Sequence, residues 1–502
     1  GYWTMDDEEY DLREQIFHNN VREQIIFLLL FILLYLFSFM VIEKYRRRDS
    51  EDYNSADEEE VKVYRISLWL CTFAVAVSLG SALLLPFSIV SNEVLILYPN
   101  SYYVKWLNSS LVQGLWNHVF LFSNLSLFVF LPFAYLFSES SGFAGCRGLR
   151  GRVYETFIVL ALLGVLMLGL VYVISAWLEG DRSSIDALLN LWTYLPFLYS
   201  CVSFVGVLML LVFTPLGFVR LFGVVGGVLV KPQFLRDLNE EYYVYSFEEE
   251  TIRRRIGNAV ATGELDCFIQ IHTKHTFYIP VYPQGYVYHS LGHTGLEEKT
   301  RKLKSIISTS PLQRNVVYPL AMLLLLALTA ITVLMVLQNT LELLIGIKAL
   351  PLSTRQFTLG IASLSKLGLA GAALEAFLIL YLHCASLTGL GAPMAALKVL
   401  PRKQRTPLAR LIALAAVLLA HSTAQPLLVK ILGITNFDLL GEFGRIEWLG
   451  NFRLVLLYNA IFAATVTLCL ASKFTASVRR ELYNRLVENV NTVAHCVSFL
   501  NN

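Results

Sequence analysis

Nine segments of the chain stay apolar for about 19 residues, the length that a helix needs to cross a bilayer. They are centred near Ile32, Ala76, Leu125, Leu166, Phe204, Leu326, Phe377, Leu418 and Phe462. The stretches between them are polar or charged, so each segment is a separate crossing. This pattern predicts an all-α, polytopic membrane protein with nine transmembrane helices.

Composition agrees with the pattern. Of the 502 residues, 56% are hydrophobic and 16% are charged, whereas a soluble domain has roughly 45–50% apolar and about 25% charged residues. The formal net charge is only +2, which predicts no general affinity for nucleic acid. Membrane lipids are therefore the first expected partners.

The basic residues predict an orientation, because cytoplasmic loops retain lysine and arginine. They cluster in the loops after the first, third and seventh spans: Lys44, Arg46, Arg47, Arg48, Lys62 and Arg65; then Arg147, Arg150 and Arg152; then Lys398, Arg402, Lys403, Arg405 and Arg410. With nine spans, this places the amino terminus outside and the carboxyl terminus in the cytosol.

The same pattern divides the chain into five regions. They are an acidic extracellular tail (1–22), spans one to five (23–222), a cytosolic segment (223–315), spans six to nine (316–472) and an amphipathic cytosolic tail (473–502). Within the cytosolic segment, β-branched and aromatic residues alternate over 266–293 around a Pro-Gln-Gly break. This alternation predicts a hairpin between two charged helices.

The third span, LWNHVFLFSNLSLFVFLPFAY, carries Asn117, His118, Asn124 and Ser126. In hydrocarbon an unpaired amide costs several kcal/mol, so these side chains should face other helices or a wet cavity. At 100° per residue, Asn117 and Asn124 lie about 20° apart on one helical face. Either hydrogen bonding between helices or a ligand cavity explains that face.

Two ionisable residues, Glu375 and His421, lie near the middle of spans seven and eight. Such groups are costly in a bilayer and mark partners or pathways. We predict that the two form a pair, which is either a structural polar contact or a protonatable element of a conduction route. Together with the polar residues of span three, they make a candidate intramembrane cluster or cavity.

Motifs for catalysis and metal binding are absent from the sequence. It contains no P-loop, HExxH, GxSxG or paired intramembrane aspartates, so an enzyme is not expected. The tightly paired ligands of structural zinc sites, such as two nearby cysteines, are not found among Cys267, His272, His275, His289 and His293. We therefore predict no metal site and no cofactor.

A charged segment before the last span, NFDLLGEFGRIEWLGNF (436–452), is too short and too polar to cross the membrane. It predicts a short helix or re-entrant turn at the outer interface, with Trp448 at headgroup level. Its Asp438, Glu442 and Arg445 complete a candidate extracellular interface. Asn108 opens a sequon that also faces outward and is a candidate glycosylation site.

Several long stretches resemble the limb-region (LMBR-like) membrane protein family, which includes the lipocalin-interacting membrane receptor. They are LLLPFSIVSNEVL (83–95), WLNSSLVQGLWNHVFLFSNLSLFVFLPFAY (106–135), ESSGFAGCRGLRGRVYET (139–156), TPLGF (214–218) and FDLLGEFGRIEWLGNFRLVLLYN (437–459). The resemblance runs over all nine spans and is greatest to the invertebrate type. It implies a receptor-like protein of the plasma membrane or of endomembranes such as the endoplasmic reticulum and endosomes. Relatives are associated with lipocalin uptake, developmental growth-factor signalling and stem-cell maintenance.

Three functional hypotheses remain open at this point. The first is a receptor that meets an extracellular lipocalin or growth-factor component outside and trafficking partners in the cytosol. The second is a lipid or amphiphile transporter whose polar cavity lies among spans three, seven and eight. The third is a protein that only stabilises or routes another membrane protein. Each is compatible with a monomer or a homo-oligomer.

Overall fold

The computed structural model describes residues 3–47, 58–99, 109–140, 148–179, 191–229, 238–261, 300–301, 304, 316–346, 368–435, 452–473 and 475. Their regular structure is helical. The α-helices are α1 (Trp3–Tyr45), α2 (Glu58–Leu97), α3 (Ser109–Leu125), α4 (Leu131–Glu139), α5 (Leu149–Glu179), α6 (Leu191–Val228), α7 (Leu238–Ala261), α8 (Tyr318–Ile345), α9 (Leu369–Ala396), α10 (Leu408–Ile431) and α11 (Phe452–Lys473). A turn of π-helix, Ser126–Phe130, joins α3 to α4.

Within the described residues, nine helical stretches are long and apolar enough to cross a membrane. They are Arg13–Tyr45, Glu58–Leu97, Ser110–Glu139, Leu149–Leu170, Val202–Val228, Tyr318–Ile345, Leu369–Ala396, Leu408–Ile431 and Phe452–Lys473. The predicted all-α class and the nine spans are thus confirmed in this part of the chain. The orientation of the termini stays a prediction.

Helix α2 lies at the centre of the bundle and packs against α1, α3, α4, α9 and α10. Its inward face is built from small and hydroxyl side chains. Ser78 is hydrogen bonded to the Ser422 hydroxyl (2.8 Å), and Ser81 donates to the Ser422 carbonyl oxygen (3.3 Å). Nearer the start of α2, Ser67 donates to the Ala134 carbonyl oxygen (3.2 Å). Small residues bring membrane helices close enough for such bonds.

Helices α6 and α9 approach so closely that only glycine fits where they cross. A Cβ atom at Gly389 would lie 1.9 Å from the carbonyl oxygen of Phe213, and one at Gly217 would lie 1.7 Å from that of Ala385. Gly206 makes a similar approach to α10, where a Cβ atom would lie 2.7 Å from the Ala420 carbonyl oxygen. Glycine therefore fixes how α6 packs against both neighbours.

Basic loops meet at one end of the bundle. The Arg47 amide donates to the carbonyl oxygen of Thr406 (3.0 Å), which ties the end of α1 to the segment before α10. The Arg152 guanidinium at the start of α5 lies 3.7 Å from the Glu60 carboxylate at the start of α2. The three loops with predicted cytosolic charge clusters therefore lie at the same end.

Residues Phe222–Ala327 form a second compact unit, distinct from the unit made by Gly1–Leu221 and Leu328–Asn502. Its helix α7 carries a surface ion pair between Arg254 and Glu250, 2.7 Å apart. The predicted hairpin (266–293) and the part of the predicted amphipathic tail beyond residue 475 lie outside the described residues.

Candidate functional site

Helices α1, α2 and α3 line an apolar cavity of about 560 Å³ that is open on one side, where Leu29, Leu33, Leu83 and Phe87 are exposed. All of the lining residues are apolar, and the walls include Phe27, Phe31, Phe87 and Phe122. The cavity lies within the helical stretches that are long enough to span a bilayer. An occupant must therefore present a largely apolar body to these walls.

Two features of the sequence build the cavity. Gly80 leaves one patch of the α2 wall without a side chain, and a Cβ atom there would lie 3.3 Å from Leu34. Opposite that patch, aromatic rings support one another: the centroids of Phe27 and Phe122 are 5.9 Å apart, and those of Phe73 and Phe122 are 5.5 Å apart. Such ring contacts hold the wall in a defined shape.

Polar groups mark one end of this apolar cavity. The Ser110 hydroxyl donates to the Glu23 carboxylate (2.9 Å), one helical turn before the cavity-lining Ile26. His118 stacks on Phe27 with ring centroids 4.2 Å apart, and its Nδ1–H donates to the Gly114 carbonyl oxygen (2.6 Å). A carboxylate and a hydroxyl therefore lie beside the apolar cavity at this end.

The structure places the predicted polar residues of span three in different environments. Asn124 and Ser126 are buried, at 7% and 0% exposure, but Asn117 is exposed. Of the two predicted environments, contact with other helices fits Asn124, and for the exposed Asn117 a wet cavity stays the prediction. Both lie on one face of α3, as their spacing requires, but neighbouring helices cover that face only near Asn124.

A π-helical turn follows Asn124, and the sequence analysis missed it. The Leu131 amide donates to the Ser126 carbonyl oxygen, five residues back. Pro132 lies two residues after this turn. Proline has no N–H to donate, so Pro132 was the signal in the sequence that helical hydrogen bonding is irregular here. The hydroxyl groups of Ser123 and Ser126 are buried here without a hydrogen-bond partner.

The predicted pair of Glu375 and His421 does not form. The Glu375 carboxyl group is hydrogen bonded to Thr435, beyond the end of α10. His421 instead meets the ring of His383, with centroids 5.0 Å apart. The error has a physical cause: the apolar window centres span seven near Phe377, but α9 continues through a Gly- and Ala-rich stretch to Ala396, so that Glu375 lies near one end.

Two asparagines that the sequence pattern did not single out join three segments of the bundle by hydrogen bonds. The Asn339 amide on α8 donates to the Ile431 carbonyl oxygen (3.2 Å) and to the Asn459 side-chain oxygen (3.0 Å). Asn459 on α11 donates to the same Ile431 oxygen (2.9 Å). The available signal in the sequence was the presence of amide side chains within apolar runs: Gln338 and Asn339 in α8, and Asn459 in α11. Ten residues earlier on α8, Thr329 is hydrogen bonded to Tyr381 of α9.

That these polar residues form one intramembrane cluster or ligand cavity stays a prediction. Among the described residues, no hydrogen bond or ring contact joins any two of His118, Asn124, Glu375 and His421. The part of the chain that the structure describes also holds no group of three His, Cys, Asp or Glu side chains that could bind a metal. Five further predicted residues, Asn108, Asp438, Glu442, Arg445 and Trp448, lie outside the described residues.

Comparison with known proteins gives a family match over most of the chain. The family model described as LMBR1-like membrane protein matches residues 23–275 and 288–474. The chain is 54% identical to Protein Lilipod of Drosophila melanogaster, over 99% of this chain and 100% of that protein. It is 46% identical to human Protein LMBR1L and 45% identical to the human Limb region 1 protein homolog, in each case over 95% of this chain and 94% of the relative. No solved structure matches the chain.

Proposed function

This chain belongs to the LMBR1-like membrane protein family, and from that premise we propose that it is a receptor-like multipass membrane protein that takes up or responds to a small amphiphile. The observation that carries the proposal is the apolar cavity of about 560 Å³ among α1, α2 and α3. Its size is within the range of ligand pockets, roughly 300–1,000 Å³.

The chemistry of the cavity supports an amphiphile rather than a water-soluble ligand. A polar molecule among these phenyl and leucyl side chains would lose its hydrogen bonds to water and gain none in return. An amphiphile places its apolar body there and keeps its head beside Glu23, Ser110 and His118. The carboxylate of Glu23 favours a head that donates hydrogen bonds, such as a hydroxyl or an amine.

The family resemblance supports a finer version of this proposal. Lipocalins carry small apolar molecules, so a lipocalin-type carrier would deliver the ligand from outside, and occupancy of the cavity would modulate developmental growth-factor signalling. The extracellular contact would be made by Asp438, Glu442, Arg445 and Trp448. The second compact unit, Phe222–Ala327, would bind trafficking partners in the cytosol. The plasma membrane, in exchange with endosomal membranes, is the site of action that fits such uptake.

A cavity-filling variant with a matched control tests the proposal. Gly80→Phe places a phenyl ring in the cavity, whereas Gly164→Phe on α5 places the same ring where nothing lies within 4 Å. The full chain in lipid nanodiscs is labelled with a photoreactive fatty acid and a photoreactive sterol. We expect Gly80→Phe to lose labelling of the α1–α3 peptides and Gly164→Phe to keep it.

Two results would contradict the proposal: equal labelling of both variants, or labelling of the wild type only outside α1–α3. In cells, Gly80→Phe should also lower uptake of a fluorescent lipocalin cargo while the amount of protein at the surface stays unchanged. Loss of uptake without loss of labelling would leave the amphiphile site standing and remove the uptake role.

A second candidate function is an amphiphile transporter, and one observation favours it. Both ring nitrogens of His421 are buried without hydrogen-bond partners near the middle of α10, and the ring of His383 on α9 lies beside them. Unpartnered polar groups at that depth are typical of transport paths. Transfer of a fluorescent lipid between the leaflets of proteoliposomes, measured against protein-free vesicles, separates this function from the receptor.

A further inference from the structure

The α9–α10 loop (397–407) lies at the end of the bundle where the basic segments meet. Over residues 398–410, this loop and the first turn of α10 carry five basic side chains and no acidic one: Lys398, Arg402, Lys403, Arg405 and Arg410. The first four of them are exposed. Both flanking helices are long and apolar enough to span a bilayer, so a connection this short keeps the charges at the membrane surface.

Backbone hydrogen bonds hold the α9–α10 loop against the end of α1. The Gln404 amide donates to the Lys44 carbonyl oxygen (3.3 Å). The Thr406 amide donates to the Tyr45 carbonyl oxygen (3.2 Å). Inside the loop, the buried Thr406 hydroxyl donates to the Arg402 carbonyl oxygen (2.9 Å) and accepts from the Arg402 amide (3.0 Å). The basic side chains therefore extend from a backbone of defined shape.

The charges of this loop are not neutralised within the part of the chain that the structure describes. None of its four exposed basic side chains forms an ion pair there with an acidic side chain. Two acidic side chains at the same end already have basic partners. Glu43 lies 3.3 Å from Arg46, and this pair is on α1. Glu60 lies 3.7 Å from Arg152. An external anionic group can therefore approach the loop without first breaking an ion pair.

Exposed leucines lie beside the charges. Leu397 is 74% exposed and Leu400 is 42% exposed, on either side of Lys398. Leucine next to clustered cations is typical of a surface in the membrane interface, where the leucine enters the acyl boundary and the cations meet headgroups. A membrane interface accounts for both the leucines and the charges, so the surface favours a lipid over an acidic protein.

We propose that the α9–α10 loop is a fixed binding site for a phosphoinositide, an anionic lipid whose headgroup carries several phosphate groups. Clusters of about four to eight lysines and arginines next to a transmembrane helix attract anionic lipids of the cytoplasmic leaflet. The predicted orientation places this loop on that side. The proposal is independent of the α1–α3 cavity, so labelling of Gly80→Phe succeeds or fails separately.

The donors of the site suit phosphate in particular. The guanidinium groups of Arg402 and Arg405 can each donate two parallel hydrogen bonds to phosphate oxygens. Helix α10 begins at Leu408 without a side-chain cap, so no side chain occupies the amides of its first turn, and such amides favour phosphate. Several cations on one short, fixed loop match a headgroup with several phosphates better than a headgroup with a single net charge.

The test measures lipid binding by the full chain in detergent. Native mass spectrometry counts bound phosphatidylinositol bisphosphate and, in a separate titration, phosphatidylserine at the same total headgroup charge. We expect one bound phosphatidylinositol bisphosphate per chain, weaker binding as salt rises, and much weaker binding of phosphatidylserine. The combined variant Arg402→Gln, Lys403→Gln and Arg405→Gln should bind at least about tenfold more weakly, because it removes three charges near the membrane surface.

The arginines of α7 provide a matched control. Changing Arg253, Arg254 and Arg255 to glutamine removes the same net charge from the second compact unit, and this variant should bind as the wild type does. Equal losses in the two triple variants would overturn the proposal, since binding would then follow net charge. Equal binding of the two lipids by the wild type would also overturn it.

A second variant tests whether the shape of the loop matters. Thr406→Val removes the hydroxyl that bonds to Arg402 but keeps every charge, so binding should weaken by about threefold or more. Unchanged binding would overturn a fixed site. If Thr406→Val does not fold, the exposed triple variant still decides the question. An aspartate-rich peptide that binds as tightly as the lipid, and is lost in the triple variant, would assign the loop to an acidic protein instead.

Discussion

Helices α2 and α5 have the same mean hydropathy over their most apolar windows, but 61% of the α2 window is buried and only 6% of the α5 window. The side chains differ in kind rather than in overall polarity. Buried positions of α2 include Ser67, Cys71, Ser78 and Ser88, whereas the described side chains of α5 between Ile158 and Val173 include many exposed leucines, isoleucines and valines.

The difference shows what assembles this bundle. Lipid tails are as apolar as leucine, so hydrophobicity brings a span into the membrane without attaching it to another span. Association depends on close packing of small residues and on hydrogen bonds between helices. Helix α2 supplies both, and α5 supplies neither along its exposed face. Substitutions in the two environments should therefore have very different effects.

The largest effect is expected at the crossing of α6 and α9. Gly389→Ala would bring a methyl group 1.9 Å from the Phe213 carbonyl oxygen, a backbone atom that cannot move aside without shifting its helix. We expect the free energy of unfolding to fall by about 3 kcal/mol or more. Thermal denaturation in detergent, followed by circular dichroism, measures the change.

The matched substitution is Gly169→Ala on α5, where a Cβ atom meets nothing within 4 Å. There alanine should be neutral or stabilising by up to about 1 kcal/mol, because it favours the helix more than glycine does. Equal melting temperatures for the two variants would show that α6 and α9 do not cross as described.

A smaller effect is expected from the contact between α2 and α3. The indole N–H of Trp116 donates to the Ser88 hydroxyl (2.9 Å), and both side chains are buried. Ser88→Ala leaves that N–H without an acceptor, so the free energy of unfolding should fall by about 1–3 kcal/mol. Denaturation of the full chain in the same detergent gives the value.

A double-mutant cycle isolates that hydrogen bond. Trp116→Phe removes the donor, so adding Ser88→Ala to it should cost much less than Ser88→Ala costs alone. Additive losses would mean that the bond contributes nothing and that the serines of α2 matter only for their size.

The spans and the clustering of basic loops could be predicted because both follow from composition over long stretches. The lateral partners of a helix could not be predicted, since they depend on register between segments far apart in the chain. A shift of a few residues was enough to assign Glu375 to His421, where the structure has His383. For the same reason, hydropathy did not distinguish the central α2 from the peripheral α5.

The candidate site, like the fold, could be predicted from the sequence only in part. Polar residues in spans were correctly recognised as unusual, and Asn124, Ser126 and His421 are buried. The cavity itself left no polar signal, because all the residues lining it are apolar. It depends on a missing side chain at Gly80 and on the way three helices meet, and neither is visible in a one-dimensional pattern.

The smallest effect is expected on α5. Leu162 is 69% exposed, so Leu162→Ala exchanges one lipid contact for another, and the free energy of unfolding should change by less than about 0.5 kcal/mol. A loss well above that value, measured in the same detergent, would mean that α5 packs against another chain, since only a covered side chain leaves a gap when it is shortened. Native mass spectrometry of the wild type and the variant would then show a dimer that Leu162→Ala weakens. In that case α2 would form the core within one chain, and α5 would form an interface between two chains.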